Sequence, residues 1–165
     1  MPHHVSLKGV PGLGLPGLHD LVAKNLDRKG KGFVILHAGA NDIGRVEEKA
    51  WLNLLECLLC FIEVGYPGYT VVWSDMLPRN IWRHIPKDVK EKVKDPKKRL
   101  LIMEGMRKRL NRRARLMCQK KGGTIVNHPS LQKNFSLLSP KDGVHLTQQG
   151  QADLWGDFLN FIHNI

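Results

Sequence analysis

Short apolar runs and longer segments of helical periodicity follow one another along the chain. Residues 33–36, 69–73 and 124–127 are mostly β-branched or aromatic, and each run is preceded by a glycine, which predicts buried strands. Residues 5–8 alternate between apolar and polar side chains before another glycine, which predicts a further strand near the first residue. The pattern therefore indicates four strands.

Helical periodicity fills the segments between these runs. Apolar positions recur every three or four residues over 18–26 and 46–64, and Thr147 is placed to cap a final helix. Residues 80–98 are polar and contain two prolines, which predicts a loop or a short irregular helix. Residues 99–121 fit a basic amphipathic helix, whose apolar stripe is formed by Leu101, Ile102, Met106, Leu110, Ala114 and Met117.

The alternation of strand and helix predicts an α/β fold. We expect three layers, α/β/α, with a mostly parallel sheet between two layers of helices. The chain has 165 residues, of which 42% are hydrophobic and 25% charged, as in one globular domain spanning residues 1–165. No apolar run reaches the roughly 20 residues that a membrane span requires.

The three cysteines argue against a disulfide framework and suit a reducing compartment. Cys57 and Cys60 have the spacing of a redox or metal pair, but they lie in a leucine-rich helix and no second pair completes a zinc site. We therefore expect both to be core residues. Asp42 and Asp75 follow strands, where a cation could bind, but no third ligand is visible. Neither a metal nor a cofactor is expected.

The N-terminal residues lack the charged and apolar regions of a secretory signal, so we expect an intracellular protein. Its positive charge is concentrated in residues 79–121, with 17 Lys and Arg against 4 Asp and Glu. The cations that could contact a polyanion lie together on the basic helix: Arg107, Lys108, Arg109, Arg112, Arg113 and Arg115. A nucleic-acid interface, a nuclear localisation signal and an ordinary solvated face all fit this pattern.

Polar residues follow the apolar run at 33–36. Gly39, Asn41 and Asp42 come at the carboxyl end of this strand, which is where open α/β sheets bind ligands. The NH2 group of an Asn side chain can donate a hydrogen bond to negative charge that develops on a substrate oxygen. We therefore expect Asn41 to be an oxyanion donor and its two neighbours to line the site.

A second polar group lies near the C-terminus. Asp142 and His145 are three residues apart on a loop before the last helix. This spacing lets the carboxylate bind one imidazole nitrogen and leaves the other nitrogen free to act as a base. Each motif alone is weak, but their order along the chain is informative.

In this order the motifs resemble those of the SGNH hydrolases, the Ser-Gly-Asn-His esterases of the GDSL lipase and acylhydrolase family. The G-A-N-D sequence at 39–42 is similar to the family's third block, and D-G-V-H at 142–145 to its fifth. The Gly-rich loop at 9–17 resembles the second block, with Gly12 as the oxyanion glycine and Gly9 as the alternative. Together with V-W-S-D-M-L-P-R at 72–79, these blocks are most similar to SGNH-type domains of vertebrate genomes associated with tyrosine-recombinase retrotransposons.

The resemblance implies an ester hydrolase with a flavodoxin-like fold and a small ester or acyl substrate. In such an enzyme His145 is the catalytic base, Asp142 orients it, and Asn41 and the backbone N–H of Gly12 bind the oxyanion. The family's first block, a strand that ends in the nucleophilic Ser, has no counterpart here. We therefore expect a domain truncated at its N-terminus, lacking the family's first strand, with little or no activity as given.

Ser74 follows a predicted strand at the correct edge, but it matches a position that is not the nucleophile in the relatives, so we expect it to line the site. Without the family's first strand, residues 5–8 are predicted to pair directly with residues 33–36 in a four-stranded sheet. The alternative function is a non-catalytic module that binds nucleic acid or another polyanion through the basic helix.

Overall fold

The sheet contains three strands in the part of the chain that the structure describes, residues 4–165 of a computed structural model. The strands are β1 (Gly32–Leu36), β2 (Tyr69–Ser74) and β3 (Thr124–Val126). They are parallel and lie in the order β1-β2-β3. Their carboxyl ends therefore meet at one edge of the sheet.

Helices connect and cover these strands. They are α1 (Leu15–Asn25), α2 (Glu48–Gly65), α3 (Lys87–Lys92), α4 (Pro96–Lys120), α5 (Pro129–Lys133) and α6 (Gln148–His163), with short 3-10 turns at Ala40–Asp42 and Phe135–Leu137. The predicted arrangement, a small parallel sheet between helices in three layers, is confirmed.

Successive side chains of β1 point to opposite faces of the sheet, toward the two layers of helices. Val34 and Leu36 belong to the main core, whereas Phe33 points the opposite way and contacts Phe161 of α6, with ring centroids 5.8 Å apart. On the core side, the buried residues of α2 recur at helical spacing: Trp51, Leu55, Leu58, Leu59 and Ile62. This stripe packs against α1, α4 and β2 and forms part of the main core.

The predicted strand at residues 5–8 is wrong. These residues form no strand, and the side chains of Val5 and Leu7 are 57% and 70% exposed. Four alternating residues specify a strand only when a neighbouring strand and a buried face hold them, and neither is present here. The sheet therefore has three strands instead of four, and β1 has no strand on its outer side among residues 4–165.

Helix α4 is present, but its buried face differs from the predicted stripe. Leu101, which was expected in the core, is 72% exposed, while Met103 is fully buried. The difference arises because three polar residues also lie on the buried face, and a search for apolar stripes assigns polar residues to solvent. They are Glu104, Arg107 and Asn111.

The expectation for the two cysteines of α2 is also wrong in part. Cys57 is exposed and Cys60 is half-buried, because the buried stripe of α2 passes through the leucines beside them. The predicted cap of the final helix is confirmed, since the Thr147 hydroxyl accepts a hydrogen bond from the Gly150 N–H at 3.1 Å. None of the helices described is both long and apolar enough to cross a membrane.

Candidate active site

The turn after β1 is fixed by a tryptophan of α2. Gly39 has a left-handed φ of 97°, and a Cβ atom there would lie 2.6 Å from the Trp51 ring. Trp51 Nε1 donates a hydrogen bond to the Gly39 carbonyl oxygen at 2.9 Å. The core therefore holds the short turn that carries Asn41 to the edge of the sheet.

Asn41 joins three segments at this edge. Its Nδ2 donates to the carbonyl oxygen of Leu13 in the Gly-rich loop at 3.2 Å, and its Oδ1 accepts from Arg79 Nη2 at 2.9 Å. An Asn side chain has two N–H groups, so the second remains available to a ligand oxygen. The oxyanion role expected from the sequence would use this second N–H group.

A pocket of about 290 Å³ opens at this edge. Its walls come from the N-terminal loop, helix α1, the turn after β1, the segment after β2 and the loop near the C-terminus: Lys8, Gly9, Val10, Leu13, Leu18, Leu21, His37, Ala38, Gly39, Ala40, Asn41, Met76, Leu77, Pro78, Arg79 and Val144. The polar side chains among them are cationic or neutral, which favours a ligand with electronegative oxygens. Gly39 and Asn41, two of the residues expected at the site, line this pocket.

Two other expected site residues lie elsewhere. Asp42 is buried, and its carboxylate accepts a hydrogen bond from the Leu15 N–H at 2.8 Å. This bond satisfies one of the free N–H groups at the start of α1, so Asp42 anchors that helix instead of lining the pocket. Gly12 lies on an exposed part of the loop, while Gly9, the alternative oxyanion glycine, lines the pocket.

Asp142 and His145 form the expected pair. His145 Nδ1 lies 2.5 Å from Asp142 Oδ2, and the other carboxylate oxygen accepts from the backbone N–H groups of Val144 and His145. The His145 side chain and these N–H groups hold the pKa of Asp142 well below its usual range. Val144 brings this loop to the pocket that Asn41 lines, while most of the His145 side chain is exposed to solvent.

The segment after β2 is held in place by α4. The Met76 N–H donates to Asn111 Oδ1 at 2.9 Å, and the Met76 carbonyl oxygen accepts from three side chains: Arg107, Asn111 and Gln132. Arg107 lies 2.8 Å from Glu104 in an ion pair, and Glu104 Oε1 accepts from the Arg79 N–H at 3.0 Å. These bonds fix the backbone that delivers Arg79 to the pocket.

The expected polyanion surface on α4 is smaller than the sequence suggested. Arg107 is fully buried and binds protein groups, so its assignment to a phosphate-binding surface is wrong. Arg115 pairs with the buried carboxylate of Asp75, which raises the pKa of Arg115, and Arg109 pairs with Glu48. Of the six cations expected to contact a polyanion, Lys108, Arg112 and Arg113 are exposed and have no ion pair among residues 4–165.

A hydrogen-bonded network that sequence reasoning missed lies beneath the pocket. Ser74 is fully buried, and its Oγ lies 2.8 Å from both His37 Nδ1 and His128 Nε2. His128 is also fully buried, and its Nδ1 lies 2.9 Å from Asp157 Oδ2. A usable signal was present, because His37, Ser74 and His128 lie at or just after the carboxyl ends of three successive strands.

His37 gives the site a testable pH dependence. His37 is exposed at the pocket surface but hydrogen-bonded to the buried Ser74, and desolvation, followed by the nearby His128 imidazole, lowers the pKa of His37 from 6.5 to about 4. Between about pH 6.5 and pH 4 the unfolded chain therefore binds this proton more strongly than the folded protein does. We expect the free energy of unfolding, measured by urea denaturation, to fall as the pH drops through this window. The fall should be smaller in His37→Gln, and identical pH profiles for the two proteins would contradict the assignment.

Comparisons with known proteins agree with this architecture. No family model and no curated protein matches the chain. A solved structure described as a "putative platelet activating factor" from Streptococcus pneumonia matches with a TM-score of 0.59 at 18% identity. The match covers 91% of this chain and 68% of that one. This likeness shows the fold. At this identity, the activity has to be argued from the site.

In the described residues, no group of three or more His, Cys, Asp and Glu side chains is arranged to hold a metal ion. The side chains that could take part in chemistry at the pocket include Asn41, Arg79 and His37, and the Asp142–His145 pair lies on a neighbouring loop.

Proposed function

We propose that the chain is an SGNH-type protein of the ester hydrolase class whose pocket binds a small ester or acyl group. The observation that supports this best is the position of Asn41, which lines the pocket at the carboxyl edge and keeps one amide N–H for a ligand oxygen. Arg79 holds the Asn41 amide in this orientation through Oδ1. A carbonyl oxygen that gains negative charge would find a preoriented donor here.

The Asp142–His145 pair supplies the base of the proposed site. Asp142 fixes Nδ1 of the imidazole and leaves Nε2 free to take a proton. Gly9 lines the pocket, so the backbone of the Gly-rich loop would provide the second oxyanion donor there instead of at Gly12. That the His145 ring turns to face Asn41 across the pocket is part of the proposal.

The nucleophile is the missing component. None of the described residues that line the pocket is Ser, Thr or Cys, and Ser74 lies buried beneath it. In serine hydrolases, removing one member of the catalytic triad leaves only about 10³–10⁴-fold acceleration over water from the remaining groups. We therefore expect the chain as given to bind a small ester and to hydrolyse it slowly at most.

Ligand binding and turnover test this proposal separately. Methyl acetate, added to the full chain, should shift the NMR signals of the Gly39 and Arg79 amides in a saturable way. Asn41→Ala should abolish the shifts, whereas Asn53→Ala, a matched change on the exposed face of α2, should not. Hydrolysis of p-nitrophenyl acetate should stay near the background rate. Absence of binding would refute the claim that the pocket binds a small ester. Fast hydrolysis that His145→Ala abolishes would refute the claim that the chain lacks a nucleophile.

The closer resemblance, to domains associated with tyrosine-recombinase retrotransposons, is part of the same proposal and rests on the sequence blocks around residues 36–44, 72–79 and 142–147. An intracellular location is likewise a proposal, based on the three cysteines, which are free in the described structure.

Binding of a polyanion is a second proposal, supported by the exposed Lys108, Arg112 and Arg113 on α4. We expect a single-stranded oligonucleotide to bind weakly, with an affinity that falls as salt rises. Arg112→Ala and Arg113→Ala each remove one cation that would bind a phosphate, so each should reduce the slope of log K against log salt by about 0.7. Lys24→Ala, which removes an exposed cation from α1, is the matched control and should leave the slope unchanged. A slope that neither exposed substitution alters would contradict this proposal.

A further inference from the structure

Four side chains from four different segments form one continuous hydrogen-bonded chain beneath the pocket. His37 follows β1, Ser74 ends β2, His128 precedes α5 and Asp157 lies on α6. The three links measure 2.8 Å, 2.8 Å and 2.9 Å between donor and acceptor atoms. Ser74 and His128 are fully buried, whereas His37 lines the pocket and Asp157 is partly exposed on the other side. These hydrogen bonds therefore connect the pocket to helix α6, on the opposite face of the sheet, through two residues that are buried from solvent.

The aromatic ring of Phe158 fixes both imidazoles. It packs edge-to-face against His37 and against His128, with ring centroids 6.1 Å and 5.4 Å away. The two imidazoles are nearly perpendicular to each other, with centroids 5.8 Å apart. Such packing restricts rotation of both rings, so the hydrogen bonds through Ser74 are held in one geometry.

The number of protons on each group decides which atom donates in each of these hydrogen bonds. An ionised carboxylate can only accept, so Asp157 requires a proton on His128 Nδ1, and a neutral His128 then has an unprotonated Nε2. Ser74 has one hydroxyl proton, which it donates to that nitrogen, and its Oγ is left to accept from His37 Nδ1–H. His37 Nε2 is consequently unprotonated, and it has no hydrogen-bond partner among residues 4–165.

We propose that His37 is an acid–base residue of the pocket, held with a free Nε2 by a proton relay that runs through Ser74 and His128 to Asp157. This role is separate from that of the Asp142–His145 pair and does not depend on ester hydrolysis. No Ser, Thr or Cys lines the pocket in the described chain, so the group that His37 deprotonates is a water molecule or a hydroxyl of the ligand.

The proton count balances along the relay. When His37 Nε2 takes a proton from the pocket, the Nδ1 proton of His37 moves to Ser74 Oγ, and the original hydroxyl proton of Ser74 moves to His128 Nε2. His37 ends neutral with its proton on Nε2, Ser74 keeps one proton, and His128 becomes a cation paired with Asp157. The charge thus leaves the pocket-lining ring and comes to rest on His128, beside the carboxylate of Asp157.

The protonation state of each ring nitrogen can be read by NMR of the full chain with ¹⁵N-labelled histidine. At neutral pH we expect His37 to carry its proton on Nδ1 with Nε2 unprotonated. In Asp157→Asn the new amide can donate to His128 Nδ1, which reverses every bond in the chain and moves the His37 proton to Nε2. Asp153→Asn, one turn earlier on α6, is the matched control and should leave His37 unchanged. A purely structural role for Asp157 predicts no such tautomer change at a residue that it does not touch.

Chemical reactivity provides an independent measurement. Diethylpyrocarbonate acylates an unprotonated imidazole nitrogen, and mass spectrometry reports the rate at His37. We expect Asp157→Asn and Ser74→Ala to slow this reaction about tenfold, which corresponds to one pKa unit in the availability of the free nitrogen. Unchanged tautomer and rate in both variants would overturn the relay. If the variants do not fold, the wild-type spectrum still decides, because a proton on His37 Nε2 at neutral pH would also overturn it.

Discussion

Replacing Arg107 by Met lowers the free energy of unfolding by about 3–5 kcal/mol, as expected when one partner of a buried ion pair is removed. Arg107 is fully buried and donates to Glu104, to the Met76 carbonyl oxygen and to Gln132 Oε1. Methionine fills similar space but donates to none of these acceptors. The carboxylate of Glu104 then remains buried without its cation, which is the main cost.

A double substitution tests whether the stranded carboxylate is the cause. Glu104→Gln removes the charge but keeps an oxygen for the Arg79 N–H, so the pair Arg107→Met with Glu104→Gln should recover a substantial part of the lost stability. Lys108→Met, an exposed change on the next residue, should alter the free energy by no more than about 0.5 kcal/mol. Urea denaturation measures all three proteins. A loss no greater for Arg107→Met than for Lys108→Met would contradict the buried pair.

Replacing Trp51 by Ala should cost about 3–5 kcal/mol, because the side chain is 1% exposed and its removal leaves a large cavity. Trp51 also packs edge-to-face against Trp73 at 6.0 Å and donates to the Gly39 carbonyl oxygen. Losing it should therefore loosen the turn that carries Asn41, in addition to destabilising the core.

Trp51→Phe separates these two contributions. Phenylalanine retains much of the apolar volume but has no Nε1 donor, so the Gly39 carbonyl loses its partner at a cost of about 1–3 kcal/mol. Urea denaturation gives the stability, and the NMR signals of Gly39 and Asn41 report the turn. Equal losses for the Ala and Phe variants would show that the cavity contributes little and would contradict the packing described here.

The strands of the sheet could be predicted because Val, Ile and aromatic runs bounded by glycine have few other uses in a globular chain. The strand expected at residues 5–8 failed because alternation describes one segment alone, whereas a strand exists only through its pairing. β1 provides no such pairing to these residues, and Val5 and Leu7 remain in solvent.

The site could be predicted only where chemistry and sequence spacing coincide. Asp142 and His145 meet because three residues of loop bring them together, and Asn41 reaches the pocket because it follows a buried strand. Arg107 was assigned to the surface because a cation in a basic segment is usually exposed. Its hydrogen-bond partners lie on other segments, and the sequence does not indicate that these segments meet. The hydrogen bonds around Ser74 likewise could not be predicted without the strand order, which places the ends of the three strands side by side.

The carbonyl oxygen of Met76, which accepts from three buried or half-buried side chains, ties the segment after β2 to α4 and α5. These bonds cannot break one at a time without leaving polar groups unsatisfied, so local opening of the segment is expensive. The amide protons of Met76 and Arg79 should therefore exchange with deuterium only as fast as the whole protein unfolds. A ligand would meet an arginine whose backbone is already rigid, and would lose little ordering entropy there on binding.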